Sequence, residues 1–438
     1  MSTSSPNNST RLQLFIAAAA AFGVYFCMYA FRKPFSAAEY EGLEVWGYGL
    51  KVVLVLSQLI GYLISKFIGI KVISEMRSER RAMAVVALIL IAEAALVGFA
   101  FLPIPLKVVM MFINGLPLGM VFGLVMGYLE GRRQTEFLAA VLCASFIVSS
   151  GVVKSIGQWL IQGTGISDFS MPMIVGLLFF PPLLGFVWLL KSTPAPSAVD
   201  EHFRSRRSVM HSAERREFVA AYWPGLTLLV LVFIALTVIR TMRDDFAVEI
   251  WSDMGVEKPS VFAHTETIVG ISVTALSALA IWIPGNRAAL RVSVAMMCVA
   301  FVVVIAAVLM QQSGALSPLG FMVACGIGLY VPYVGYHTTI LERLIAAARR
   351  PCNYGFLMYL ADSLGYLGFA VIITLKNAQM TSSTILPFFL NLSLVVSGGS
   401  IVALIAAQLY FERVLPTETQ LVPADPQAPA AGELAPAE

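Results

Sequence analysis

What most constrains this chain is a run of apolar blocks, each about 20 residues long or longer, that recur from residue 12 to residue 411. The hydrocarbon core of a bilayer is about 30 Å thick, which about 20 helical residues cross. A water-soluble domain carries about 25% charged residues; this chain carries 13%, with 58% hydrophobic. The blocks are continuous rather than alternating, so spanning helices are favoured over a β-barrel. The pattern predicts an all-α membrane protein of twelve transmembrane helices. The widest candidate spans are 12–40, 223–251, 317–345 and 383–411. The lipid bilayer is therefore the first expected partner. A net charge of +3 gives no reason to expect nucleic acid.

A polar stretch, 192–222, separates the sixth span from the seventh and holds Arg204, Arg206, Arg207, Arg215 and Arg216. It divides the chain into a six-helix bundle at 1–191, a linker at 192–222, a second six-helix bundle at 223–411 and a Pro- and Ala-rich tail at 412–438 that is expected to be disordered. Most loop lysines and arginines fall on one side. Arg77, Arg80, Arg81, Arg132, Arg133, the linker arginines, Arg287 and Arg291 share it, whereas the opposite loops carry only Lys51, Lys107, Lys258 and Lys376. Positive residues stay on the cytoplasmic side. Both termini, the linker and the tail are thus expected in the cytoplasm, with the chain in a bacterial inner membrane. Two halves of six helices joined by a basic linker resemble the major facilitator superfamily (MFS), whose pseudo-symmetric halves are parallel repeats about the membrane normal. Asn114, Gly115, Glu130 and Arg132 in the fourth span are echoed by Cys325, Gly326, Glu342 and Arg343 in the tenth.

Cations inside apolar blocks carry the functional signal, because one at the bilayer centre costs about 2.5–3.5 kcal/mol and should face protein or a water-filled cavity. Arg32, Lys33, Lys66, Lys154, Arg240 and Arg243 are so placed. Tyr25, Tyr29 and Arg32 are spaced to share one helix face. If the halves are related, Arg32 and Arg240 approach a shared cavity from opposite sides, and two guanidinium forks suit an oxoanion. The alternatives are pairing of each arginine with Glu93, Glu266 or Asp362, or snorkelling of Arg32 to the surface. Lys66 either snorkels or adds positive potential to the cavity. Lys154 is either a cavity cation or the partner of an acid. Arg243 is followed by Asp244 and Asp245, which favours a local ion pair. Glu266 and Asp362 are the candidates for coupling or charge balance. Tyr330, Tyr333 and His337 fall on one face and are expected to wall the cavity. There is no phosphate loop, nucleophile motif or metal-ligand pattern, so no catalytic residue, metal or cofactor is expected. The five cysteines are scattered and read as packing residues.

At these residues the chain resembles the organophosphate:phosphate antiporter family. Tyr29, Arg32, Lys33 and Phe35 are similar to that family's first-helix motif, and Ser65, Lys66 and Phe67 to its second-helix motif. Arg240 with Asp245, Gly335 with His337, and Gly365 with Gly368 are similar to its seventh-, tenth- and eleventh-helix motifs. The resemblance implies that Arg32 and Arg240 bind the anion and Lys66 assists. The chain departs from the family at Phe146, where the family carries a histidine, and Arg243 is a rival for the second anion-binding arginine. The expected function is that of a monomeric secondary active transporter, not an enzyme. It would carry a small anionic solute, phosphorylated solutes among the candidates, by alternating access, with Arg32, Arg240, Lys66, Tyr25, Tyr29, Tyr333 and His337 binding it. The rival readings are a transport-inactive sensor of such a solute and a proton-coupled carrier of a neutral or cationic one.

Overall fold

In the computed structural model the described residues are 8–76, 78–129, 135–193, 212–281, 283, 285–348, 354–377 and 385–416. Helices α1 (Asn8–Tyr29), α2 (Leu50–Glu75), α3 (Ser78–Phe101), α4 (Ile104–Leu129), α5 (Thr135–Thr164) and α6 (Met171–Lys191) form the first half. The second half comprises α7 (Ser212–Asp245), α8 (Ala247–Asp253), α9 (Ser260–Ile281), α10 (Asn286–Gln312), α11 (Pro318–Gly335), α12 (Leu341–Ala348), α13 (Tyr354–Asn377) and α14 (Ile385–Val414). Strands β1 (Glu44–Val45) and β2 (Tyr48–Gly49) make a small antiparallel hairpin between α1 and α2. Eleven helices among the described residues are long and apolar enough to cross a membrane, and Leu360–Leu375 of α13 is a shorter apolar stretch. This is an integral membrane protein, and side chains such as Met83, Phe101, Leu375 and Val395 lie exposed on its outside because the solvent there is lipid.

The two halves repeat one packing scheme. In the first, α1 packs on α5 and α6, α4 on α2 and α3, and α3 on α6. In the second, α7 packs on α13 and α14, α11 on α9 and α10, and α10 on α14. The halves meet where α5 packs on α9 and α2 on α13.

Several expected boundaries shift. The first span ends at Tyr29, and a turn with a 3-10 segment, Pro34–Ala37, takes up the rest of 12–40. The seventh breaks into α7 and α8 at Phe246, and the tenth into α11, a π turn at Tyr336–Ile340 and α12. The tail begins later than expected, since α14 runs to Val414. Most of the linker, 194–211, and 417–438 lie outside the described residues.

Tight contact of α2 with α4 depends on Gly115, where a Cβ would press on the Gln58 carbonyl. Small residues permit such approach between membrane helices. Gly115→Ala is expected to destabilise the protein by about 1–3 kcal/mol through overpacking. A lowered unfolding temperature in detergent would register this; an unchanged one would mean that α2 shifts freely.

Candidate functional site

Arg32 is positioned by backbone bonds that its own helix cannot supply. Because α1 ends at Tyr29, the carbonyls of Phe31 and Arg32 have no helical partner, and lipid offers none. Asn114 of α4 donates to the Phe31 carbonyl (3.0 Å), and Gln58 of α2 donates to the Arg32 carbonyl (2.9 Å) and to the Asn114 side chain (2.8 Å). The guanidinium is thereby set over the Tyr62 ring at 4.0 Å, with Tyr29 at 5.6 Å. Arg32 is therefore not on one helical face with Tyr25 and Tyr29, as its spacing suggests. It lies just beyond the helix end, although Tyr25 and Tyr29 still pack edge-on at 5.6 Å. It does not snorkel: only 8% of the residue is exposed.

Arg240 comes from the continuous helix α7 and is also buried. It lies over the Tyr333 ring at 4.1 Å, with Tyr330 at 5.9 Å. Two aromatic bridges join the arginines across the halves. Tyr29 stacks on Phe146 (6.4 Å), which meets Tyr333 edge-on (5.8 Å). Tyr62 meets Tyr366 of α13 edge-on (5.7 Å), and Tyr366 is within the field of Lys66, Arg240 and Arg32. Phe146 thus links Tyr29 of the first half to Tyr333 of the second.

Among the described residues no carboxylate lies within ion-pair distance of Arg32 or Arg240, and the buried Nε of each has no hydrogen-bond partner. Of the other buried cations, Lys107 donates to the carbonyls of Phe99 (2.6 Å) and Ala100 (3.0 Å), and the rest are matched by acids. Lys66 pairs with Asp362, so it is not snorkelling, and the positive potential expected from it is balanced. Lys33 pairs with Asp244 (2.5 Å) and with Asp245, Lys154 with Asp244 (2.5 Å) and Lys51 with Glu249 (2.5 Å). The local pair expected for Arg243 does not form. Its guanidinium instead reaches Glu266 of α9 at 2.8 Å and the Met322 carbonyl at 2.9 Å. Arg243 is thus charge-compensated where Arg240 is not, and Glu266 holds neither Arg32 nor Arg240. Among the described residues Glu93 pairs with no cation either, and its buried carboxyl oxygens have no hydrogen-bond partner.

The matched pairs bracket the arginines. Lys33, Lys51, Asp244, Asp245 and Glu249 lie just past α1, at the start of α2, at the end of α7 and in α8, and join the halves near one membrane face. Lys66, about 24 Å along α2 from its start at 1.5 Å per residue, joins Asp362 toward the other face. Both connections are closed here.

Outside the spans, burial and then the neighbouring Glu249 carboxylate push the Glu39 carboxyl up to about 7. An acid whose folded value is raised contributes stability below its ordinary range, and that contribution is lost as pH rises through the folded value. Thermal stability is expected to decline between about pH 4.5 and pH 7, and Glu39→Gln to remove that part of the decline. An identical pH profile in the variant would rule Glu39 out as its source.

Sequence profiles and solved structures place this arrangement. The profile of a family described as a family of unknown function, DUF5690, matches residues 34–414. The chain belongs to that family. No curated protein matches the DUF5690 chain. The crystal structure of a D-xylose-proton symporter is similar to it with a TM-score of 0.60 and 14% identity, over 92% of this chain and 97% of the symporter. The MFS proton:xylose symporter XylE bound to 6-bromo-6-deoxy-D-glucose gives 0.58 and 16%, over 94% and 97%. The nucleoside transporter NupG gives 0.57 and 13%, over 91% and 100%. The DUF5690 chain therefore has the major facilitator fold of two pseudo-symmetric six-helix bundles.

Sequence reasoning missed Gln58 and Tyr62, which hold Arg32, and Tyr366, which packs on Tyr62. Tyr62 stands four residues before Lys66, and Tyr366 four after Asp362, so each shares a helix face with one partner of an ion pair. That spacing was the available signal.

Proposed function

We propose that this chain is a secondary transporter of a small organic anion, working by alternating access between its two bundles. The observation that carries the reading is the contrast among buried cations. Lys33, Lys51, Lys66, Lys154 and Arg243 each have an acid and Lys107 has two carbonyls, while Arg32 and Arg240, one from each half, have tyrosine rings and, for Arg240, the Thr241 hydroxyl at 3.3 Å. A dry, unneutralised guanidinium is expensive, and an anion gripped by both forks would offset that cost. Phosphorylated solutes fit because their oxygens accept paired N–H donors. Tyr25, Tyr29, Tyr333 and His337 would line the rest of the pocket.

In this mechanism the moving bodies are residues 1–191 and 223–411, with both termini cytoplasmic. The Lys33, Lys154 and Asp244 cluster and the Lys66–Asp362 pair would open in turn. Substrate can drive that change only through different affinities for the two states. A thermal-shift screen of phosphate, phosphate esters, carboxylates and sugars, followed by uptake in proteoliposomes, tests the reading. Anions should stabilise the protein and enter the vesicles. Stabilisation without flux would make the protein a sensor, and stabilisation by sugars alone would overturn the anion assignment.

A further inference from the structure

Asp362 serves two partners on different helices. Its Oδ2 is taken by Lys66 of the first half, while its Oδ1 is buried with no hydrogen-bond partner and faces His337 Nε2 at 3.9 Å. The other nitrogen of that imidazole, Nδ1, lies 2.8 Å from the Tyr333 carbonyl oxygen. A carbonyl can only accept, so Nδ1 carries a hydrogen. In the neutral ring Nε2 is then an acceptor as well, and it points at a carboxylate oxygen. Two acceptors face each other with no hydrogen between them. A proton on Nε2 turns that opposition into an ion pair.

The local backbone suits such a switch. His337 sits in the π turn Tyr336–Ile340, a feature that recurs at functional sites. Thr338 and Thr339 also bond back to the carbonyls of Val334 (2.8 Å) and Gly335 (3.1 Å), so the turn is held from its own side chains. The side chains of His337 and Asp362 are each 10% exposed, which leaves a route for a proton.

We propose that His337 Nε2 is a proton-binding site whose loading draws the Asp362 carboxylate away from Lys66, so that one proton loosens the α2–α13 connection and frees Lys66 for the anion. Transport is then proton-linked, and anion and proton bind cooperatively. This deepens the anion reading and rests on it for the second half of the claim. Among the described residues, the charged and titratable groups around the His337–Asp362 pair include Tyr366 from α13, Lys66 and Tyr62 from α2, Arg240 from α7, Cys143 from α5 and Tyr333 from the helix before His337. From α9, Glu266 is held by Arg243; from α10, Arg287 and Arg291 are engaged with Glu412.

Two measurements on the full chain in nanodiscs test it. The first is nitrogen NMR of histidine-labelled protein, in which the chain's four histidines give separable signals and His337→Gln assigns the one at issue. That imidazole should gain its proton at Nε2 as pH falls, and Asp362→Asn should move its titration by about one pH unit or more. An unmoved titration overturns the proposal. The second uses sulfate, whose charge is constant over the range. Its affinity should rise with acidity in the wild type, by up to about tenfold per pH unit, and be nearly flat in His337→Gln. By linkage, sulfate binding should take up protons in the first and not in the second. The same slope in both overturns the proposal. If sulfate binds at no pH, the anion reading fails while the NMR result still decides whether His337 and Asp362 are coupled.

Discussion

Replacing Arg240 with alanine is expected to remove anion binding almost completely, and Arg32→Ala to do the same. A hydrogen bond to a charged group contributes about 1.5–3 kcal/mol. A guanidinium holding an oxoanion by two such bonds therefore accounts for about 3–5 kcal/mol, or about a hundred- to several-thousand-fold in affinity. Lysine at either position keeps the charge but loses the planar fork and the stacking on Tyr62 or Tyr333, so Arg240→Lys should recover only part of the loss. Arg243→Ala is the informative control. It leaves Glu266 without its cation, so it should lower thermal stability more than it lowers affinity in whatever protein folds. Binding that survives Arg32→Ala and Arg240→Ala together would defeat the anion reading.

The largest stability effect is expected at Asp244. This one carboxylate holds Lys33 and Lys154 and accepts from Ser150 (2.5 Å). Asp244→Ala leaves Lys154 with only the main-chain carbonyl of residue 244 and no counter-charge in contact, and leaves Lys33 with Asp245 alone. Breaking a buried pair by removing one partner costs about 3–5 kcal/mol, because the remaining charge is uncompensated. Asp245→Ala should cost less, since Lys33 keeps Asp244. The double replacement Lys154→Met with Asp244→Asn should recover part of the loss, because it removes a stranded charge together with its partner. Unfolding temperatures of the purified variants give the ranking. Equal values for the two aspartates would show that Asp244 is not the hub.

These expectations depend on pairings that span most of the sequence. Hydropathy alone placed the spans, since a helix in lipid must carry its own apolar coat and satisfy its own backbone. The same count of blocks, with a polar break at the sixth, was enough for the two-bundle layout. Deep charges were equally legible, because an arginine at position 240 in an apolar run stands out whatever surrounds it. Where each helix stops was less legible. Apolar composition continues past Tyr29 although the helix does not, and the carbonyls so released are satisfied by Gln58 and Asn114 from two other helices.

Partner choice among charges was not legible at all. Asp244 and Asp245 follow Arg243 directly, yet Arg243 reaches Glu266 and leaves them to Lys33 and Lys154. Neighbours in sequence on one helix point in different directions, so chain proximity gives no ion pair by itself. Lys66 and Asp362 likewise find each other only because α2 packs on α13. The sequence by itself determined that this chain lives in a membrane as two similar halves and that cations sit deep within it. Tertiary structure decided which of those cations are neutralised and which two are left facing aromatic rings, because charge compensation acts through distances that exist only once the halves are assembled.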